Sequence, residues 1–256
     1  MSESKKYIPG LVSVITPAYN SEAFICETIE SVVAQTYTDW EMIVVDDASN
    51  DNTESVLKDY QARDKRIRYV RLTNNQGPSI ARQTGVKEAQ GQYIAFIDSD
   101  DLWMKDKLEK QINFMRGNCC AFSCTAYQQV NERGVLLSKI IIPPLKADYD
   151  RVLLDCPVGN STVMYDVSQI GKCFGPDIKN REDYALWLKM LKQVPYVWGL
   201  QEILTKYRIR KNSISRNKFK LIRYHWILYR DFEKLSVLRS LFHIGYWCLI
   251  KVLRIK

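Results

Sequence analysis

Tyr93-Ile94-Ala95-Phe96-Ile97-Asp98-Ser99-Asp100-Asp101 is an apolar, aromatic and β-branched run that stops abruptly in three carboxylates. Such a run reads as a buried strand, and acids at its end cannot stay ionised inside a core without a cation or strong hydrogen bonds. In an open α/β sheet, ligands gather outside the carboxyl ends of the strands, so Asp98 and Asp100 are expected where a metal-bound phosphate ligand would be handled. Two carboxylates one residue apart can grip a hard divalent cation, and that cation can neutralise a diphosphate. Taken alone, the pattern also suits an acidic turn capping the next helix. Its neighbours decide between the two.

Upstream, residues 11–16 are a short apolar run ended by Pro17, a first strand that turns through Ala18-Tyr19-Asn20. Ser21 is placed to cap a helix in which Phe24, Ile25, Ile29, Val32 and Val33 recur at helical spacing up to Gln35. Residues 41–45 read as a second strand ending in Asp46-Asp47, and a helix from Asn52 or Thr53 runs toward Tyr60. Residues 67–72 form a third strand, and residues 79–90 a helix closed by Gly91. Strand and helix alternating in this way predict an α/β fold with a mostly parallel sheet and helices on both faces. The first, second and fourth strands finish in polar residues, so Tyr19, Asp47 and the acids from Asp98 to Asp101 should line one nucleotide-sized crevice. Neither Gly-x-Gly-x-x-Gly after the first strand nor Gly-x-x-x-x-Gly-Lys-Ser/Thr occurs, which removes the two commonest glycine-rich phosphate cradles. Beyond Asp101 the reading is a helix over 104–115, strands over 121–130 and 136–142, and a loop from Gly159 running into a strand at Tyr165. A helix follows whose first turn holds Glu182 and Asp183, where the helix dipole favours anions.

At 256 residues, with 46% hydrophobic and 26% charged residues, the chain has the composition of a folded globular protein rather than a disordered one. Residues 1–10 lack the basic-then-apolar pattern of a secretory leader, which leads to an expected cytoplasmic location. Seven cysteines at scattered spacing, without paired Cys-x-x-Cys clusters, read as reduced thiols and not as zinc ligands. The net charge of +8 is uneven: from Leu204 onward fourteen Lys or Arg face two acids, giving +12, while everything before sums to −4.

Taken in order, these motifs resemble the family 2 glycosyltransferases of GT-A fold, most of which are inverting. The resemblance covers about residues 9–215. It rests on Val12-Ser13-Val14-Ile15-Thr16-Pro17-Ala18-Tyr19-Asn20, on Glu41 through Asp51, on Asn75-Gln76-Gly77 with Ala81-Arg82, on Asp98-Ser99-Asp100-Asp101, and on Glu182-Asp183-Tyr184-Ala185-Leu186-Trp187. It implies a UDP-sugar donor with Mg²⁺ or Mn²⁺. Pro17, Ala18 and Tyr19 would border the nucleobase, Asp47 would accept a hydrogen bond from uracil, and Arg82 and Ser99 would lie near the nucleotide. Asp98 would face the ribose or support the metal, with Asp100 its direct ligand. Asp183 would be the general base and Glu182 would orient the site or touch the acceptor. Gln83 departs from the Asn that many relatives carry after the Arg. The segment from Tyr207 to Ser215 looks like one that closes over the donor, which makes Arg208, Arg210 or Lys211 candidates for the diphosphate.

The expected organisation is therefore a catalytic domain over 1–215, with a nucleotide-binding half at about 9–101 and an acceptor-side half at about 102–215, and a basic helical tail over 216–256. The longest uncharged stretch of the tail, residues 240–250, is too short to span a bilayer, which takes about 20 apolar residues. Trp226, Phe232, Leu238, Leu241, Phe242 and Trp247, set among Arg239, Lys251, Arg254 and Lys256, fit an interfacial helix on anionic lipid rather than a nucleic-acid surface. The same apolar residues would also serve to pack on the catalytic domain or on a second copy of the chain. A peripheral position on the inner membrane face points to a lipid-linked glycan acceptor, as in assembly of a surface polysaccharide. The competing class is a sugar-nucleotide-binding or scaffolding protein of the same shape without turnover. Nucleotidyl transfer needs a glycine-rich basic loop after the first strand, and that loop is absent.

Overall fold

The computed structural model describes residues 7–176, 178, 180–210 and 218–253. The N-terminal half runs β1 (Ile8–Ala18), α1 (Ile25–Val33), β2 (Trp40–Asp46), α2 (Thr53–Arg63), β3 (Ile67–Arg71), α3 (Pro78–Glu88) and β4 (Gly91–Phe96). Next come β5 (Leu102–Trp103), α4 (Lys107–Gly117), β6 (Phe122–Val130), β7 (Leu136–Ile141), β8 (Lys146–Ala147) and α5 (Tyr149–Leu154). A 3-10 turn (Asn160–Thr162) leads to β9 (Met164–Asp166), α6 (Val167–Ile170), α7 (Glu182–Leu191) and β10 (Val197–Arg208). The tail is α8 (Lys218–Ile227), a π-helical turn (Leu228–Phe232) and α9 (Val237–Leu253).

One sheet runs through both halves in the order β3-β2-β1-β4-β9-β6-β10-β5. The first four of these strands are parallel, as the alternation of strand and helix requires. Short β9 is antiparallel to both β4 and β6, and it joins the parallel N-terminal half to a second parallel pair, β6 with β10. Apolar residues of β1, β2 and β4 alternate between two cores. One core takes Val12, Val14, Met42 and Ala95 against α1, α2 and α4; the other takes Ile15, Ile43, Ile94 and Phe96 against α3, α5, α7 and the π turn. Trp187 is fully buried in the second core, its ring 5.7 Å from that of Phe96 and 5.6 Å from that of Phe122.

The structure differs from the sequence reading at three places. Helix α1 begins at Ile25, four residues past Ser21, because the Ser21 hydroxyl accepts the Tyr19 N–H and shares a 2.8 Å hydrogen bond with Ser99 Oγ. Ser21 thus cross-links two loops instead of capping a helix. Strand β10 went unread because Gly199 and two register shifts interrupt its periodicity. A Cβ at Gly199 would lie 2.1 Å from the Pro144 carbonyl oxygen, so the crossing of the Pro143-Pro144 segment requires glycine there. Finally, the tail is two helices rather than one, and its inner face packs on the rest of the chain beside α5: Leu228 and Tyr229 are fully buried, and Tyr229 Oη donates to the Leu153 carbonyl at 3.3 Å. Tail residues Arg254 and Lys256, and Lys211 to Ser215 before it, lie outside the described residues.

Lys107 opens α4 fully buried, its ammonium 3.6 Å from the centre of the Trp103 ring and without a hydrogen-bond partner among the described residues. Burial holds its pKa well below the ordinary lysine value. The unfolded chain therefore binds a proton that the folded chain resists, and stability is lost as pH falls through the interval between the two values. Lys107→Met keeps the stem packing and removes the desolvation cost. At pH 7 this variant should be more stable than wild type by about 1 kcal/mol or more, with the difference closing as pH approaches 10. Urea unfolding across that range checks it, and a less stable variant would refute the reading.

Candidate active site

Strands β1, β2 and β4 end on one edge of the sheet, where their loops meet. Pro17 and Ala18 are still buried strand residues paired with Val45 and Asp46, so Tyr19, 44% exposed, is the first side chain of the motif to project. Asn20 and Ala48 hold positive φ angles of 46° and 59° in the two loops beside it, a conformation that non-glycine residues adopt at a cost and that clusters at functional sites. Asp47 is buried, and its two carboxylate oxygens accept the Gln76 and Gly77 amides at 2.7 Å each. Its carboxylate shapes the loop that starts α3, where Gly77 takes a φ of 89°, and acceptor capacity is left for the uracil hydrogen bond that the resemblance implies.

The three acids after β4 divide into two kinds. The Asp98 and Asp100 side chains are partly exposed, at 31% and 21%, whereas Asp101 is fully buried. Asp101 accepts the Arg208 backbone N–H at 2.8 Å and the Ser161 hydroxyl, and burial raises its pKa well above the usual carboxylate range. It is a structural clamp. Asp98 Oδ1 accepts Asn160 Nδ2 at 2.7 Å and Arg82 Nη2 at 3.2 Å. Burial raises the Asp98 pKa against the pull of the Arg82 charge.

Arg82 is buried on α3 and reaches two elements at once: Nη2 meets Asp98, and Nη1 meets Glu182 Oε1 at 3.2 Å. That bridge brings the start of α7 to the acidic loop. Asp183 and Glu182 line a cleft with Ser79, Arg82, Gln83 and Gly175. Burial, then the neighbouring Asp183 charge, raises the pKa of Glu182. Asp183 Oδ1 accepts its neighbour's Tyr184 N–H at 2.7 Å.

Arg208 and Arg210 part company. The buried Arg208 side chain donates to the Asp100 carbonyl, the Glu132 carbonyl and Glu27 Oε2, all at 2.7 Å. Its guanidinium holds the acidic loop from behind, in place of the diphosphate role read from sequence. Arg210 is half-buried and pairs with Asp100 Oδ2 at 3.1 Å. Lys211 lies outside the described residues. Sequence reasoning missed Asn160 and Ser161; their only signal was a polar run in a loop, and the strand pairing that brings them to Asp98 is long-range.

Among the described residues no three His, Cys, Asp or Glu side chains converge as a metal cage. Asp98 and Asp100 still fit a small hard cation of the kind that takes one or two carboxylates and completes its shell with substrate phosphates and water.

A mixed α/β sheet that presents paired acids at one strand end, joined through Arg82 to an acidic helix start, is consistent with a GT-A glycosyltransferase. In fold the chain resembles S. aureus TarS (residues 1-349, in complex with UDP-GlcNAc), with a TM-score of 0.70 and 23% identity over 90% of this chain and 69% of that one. The model for Glycosyl transferase family 2 matches residues 13–162, and the chain belongs to that family. It is 43% identical over 241 residues, 94% of each protein, to the putative teichuronic acid biosynthesis glycosyltransferase TuaG of Bacillus subtilis (strain 168). It is 36% identical over 237 residues, 92% of each, to the Escherichia coli UDP-Glc:alpha-D-GlcNAc-diphosphoundecaprenol beta-1,3-glucosyltransferase WfgD. The mannosyltransferase PcManGT of Pyrobaculum calidifontis, in complex with GDP-Man and Mn²⁺, shares the fold at a TM-score of 0.63 and 19% identity, over 87% of this chain and 63% of that one. The chain is an enzyme of the glycosyltransferase class.

Arg82→Met should destabilise the protein at pH 7.5 by about 1–3 kcal/mol, because the largely buried Glu182 and the partly exposed Asp98 are left without their cation. Asp98 and Glu182 both titrate above their ordinary values, so the deficit should shrink as pH falls toward 5 and protonation removes the unpaired charge. Urea unfolding at the two pH values measures it. A deficit that grows on acidification contradicts the assignment.

Proposed function

We propose that the protein is an inverting, metal-dependent transferase that moves a sugar from a UDP-sugar to a lipid-linked glycan acceptor, on the inner face of the membrane, in assembly of a bacterial surface polysaccharide. The observation that supports this reading is the Arg82 bridge, which ties Asp98 of the acidic loop to Glu182, the residue before Asp183. The similarity to TuaG, named for teichuronic acid biosynthesis, and to WfgD, named for transfer from UDP-Glc to a diphosphoundecaprenol-linked acceptor, supports the polysaccharide, the UDP-sugar and the lipid-linked acceptor. The Mn²⁺ of PcManGT supports the metal.

On this reading Asp98 and Asp100 would hold Mg²⁺ or Mn²⁺, which when bound stabilises the charge that develops on the leaving diphosphate. Asp183 takes the proton of the acceptor hydroxyl as it attacks the anomeric carbon from the face opposite the diphosphate. Because the leaving group needs no proton donor, one carboxylate base is enough, unlike the paired acid and base of a glycoside hydrolase. Glu182, fixed by Arg82, orients the start of α7. Arg210, partly exposed and paired with Asp100, would meet the diphosphate, while Arg208 supports the loop. Tyr19 is the ring available to stack on the base.

Release of UDP from a panel of UDP-sugars, with membrane extract as acceptor, tests the reaction. Turnover should stop with EDTA and fall by about 10³-fold or more in Asp183→Asn. Saturable binding without metal-dependent UDP release would instead mark a non-catalytic binder.

The tail supports the membrane assignment. No described helix is long and apolar enough to cross a bilayer. While one face of α9 packs on the domain through Trp247 and Ser240, the other exposes Leu238 at 79%, Phe242 at 63%, Leu241 and Leu249. Arg239 stands in that exposed face, and Arg230 and Lys234 precede it, the composition of an interfacial helix on anionic lipid. Replacing Leu238 and Phe242 by Glu should lower co-sedimentation with phosphatidylglycerol vesicles about tenfold or more while leaving the melting temperature unchanged. Equal sedimentation of variant and wild type would exclude this face.

A further inference from the structure

The acidic loop is held from one side by Arg208 and from the other by two residues with no assigned role, Asn160 and Ser161. They form a 3-10 turn fixed from several directions. The Ser161 carbonyl accepts Trp103 Nε1 at 2.7 Å and Thr205 Oγ1 at 3.3 Å, the Thr162 carbonyl accepts Gln111 Nε2 at 3.0 Å, and Thr162 Oγ1 donates back to Gly159 at 2.7 Å. Gly159 itself leaves little room, since a Cβ there would meet the Tyr127 ring at 3.1 Å. The turn is a rigid platform, and its two polar side chains both point at the acids.

Each has a separate task. The Ser161 hydroxyl donates its only proton to Asp101 and accepts the Asp98 backbone N–H at 3.0 Å, so one oxygen ties the first residue of the acidic loop to the fourth. The same two residues are joined by the Asp101 N–H to Asp98 carbonyl bond at 3.1 Å. Asn160 acts on the side chain: its amide N–H shares Asp98 Oδ1 with Arg82. Two donors on one oxygen restrict the rotation of the carboxylate about its Cβ–Cγ bond and leave Oδ2 as the oxygen that neither of them engages.

We infer that Asn160 is a positioning residue for glycosyl transfer: by donating to Asp98 Oδ1 from a fixed turn, it sets the orientation in which Asp98 meets the metal-bound donor. Arg82 alone cannot do this, because its guanidinium is also drawn toward Glu182 across the cleft. The inference rests on the proposed metal-dependent use of Asp98.

Three variants test it, on the full-length protein. Asn160→Leu keeps the shape and removes the donor; Asn160→His places Nδ1–H close to where the amide nitrogen sits; Asn160→Ala serves if the leucine variant does not fold. UDP binding is measured by calorimetry with Mn²⁺ and with EDTA, alongside kcat and KM. In Asn160→Leu the Mn²⁺-dependent gain in UDP affinity should drop about tenfold and kcat about 10- to 100-fold, with unchanged UDP affinity in EDTA and an unchanged acceptor KM. Asn160→His should recover most of both losses. A space-filling role would move neither the Mn²⁺-dependent gain nor the histidine rescue. Wild-type values in Asn160→Leu, or in Asn160→Ala where that variant replaces it, overturn the inference. So does a histidine variant as impaired as the leucine one. A wild-type protein with no Mn²⁺-dependent gain overturns the metal reading of the site, and this inference with it.

Discussion

The buried guanidinium of Arg82 is the constraint from which the rest of the site follows. A charge taken out of water is tolerated only with ionic and hydrogen-bond partners, and Arg82 has two carboxylates from elements far apart in sequence, Asp98 after β4 and Glu182 at the start of α7. Neither partner is at ease alone. Burial raises the pKa of both, and the guanidinium between them pulls the other way by favouring their charged forms. The bridge therefore does more than join two elements: it favours the charge of the acids that it links, and it ties the start of α7 to the acidic loop.

The acidic loop solves a second electrostatic problem by division of labour. Four residues carry three acids, and three carboxylates facing one crevice would repel each other strongly. Turning Asp101 inward removes one of them from the crevice and uses it as an acceptor for the backbone of Arg208 and the hydroxyl of Ser161. Arg208 then closes the arrangement, its guanidinium on the Asp100 carbonyl and on Glu27 of α1. The consequence is that β10, α1 and the 3-10 turn all converge on one short loop. The geometry of Asp98 and Asp100 is set by long-range structure, not by the loop itself.

That dependence explains what the sequence made legible. Strands β1 to β4 and their helices could be read because their periodicity is local and their connections short, and the strand ends alone put Tyr19, Asp47 and Asp98 on one edge. The class of protein followed from ordered motifs in the same region. What could not be read is what long-range pairing decides. Ser21 looks like a helix cap until Ser99 is seen 2.8 Å away, and Arg208 looks like a diphosphate ligand until the Asp100 and Glu132 carbonyls are found around it. β10, with its glycine and shifted register, hides the strand that delivers Arg208. The tail shows the same limit in another form: apolar spacing announces an amphipathic helix but not which apolar residues a neighbour covers, and the structure covers Tyr229 and Trp247 while leaving Leu238 and Phe242 exposed.

The tail and the candidate base are also mechanically close. Tyr184, the residue after Asp183, donates its hydroxyl to the Leu153 carbonyl on α5 at 2.7 Å, and the Tyr229 hydroxyl lies 3.4 Å from it. Arg181, which immediately precedes Glu182, is held at a φ of 70° with its guanidinium 5.9 Å from the centre of the Trp247 ring on α9. A left-handed non-glycine residue persists only where its surroundings over-determine it, and here the surroundings are the tail on one side and the Glu182–Arg82 pair on the other. On the proposed reading, the helix that rests on lipid is thus packed directly behind the helix that receives the acceptor hydroxyl. An acceptor anchored in that lipid would approach from the side of the cleft where Asp183 stands. On the same reading the donor, a soluble nucleotide, would meet the strand-end edge beside the exposed Tyr19. The two substrates would then come from different phases, and in-line attack would depend on how the site holds the hydroxyl and the sugar once both are bound.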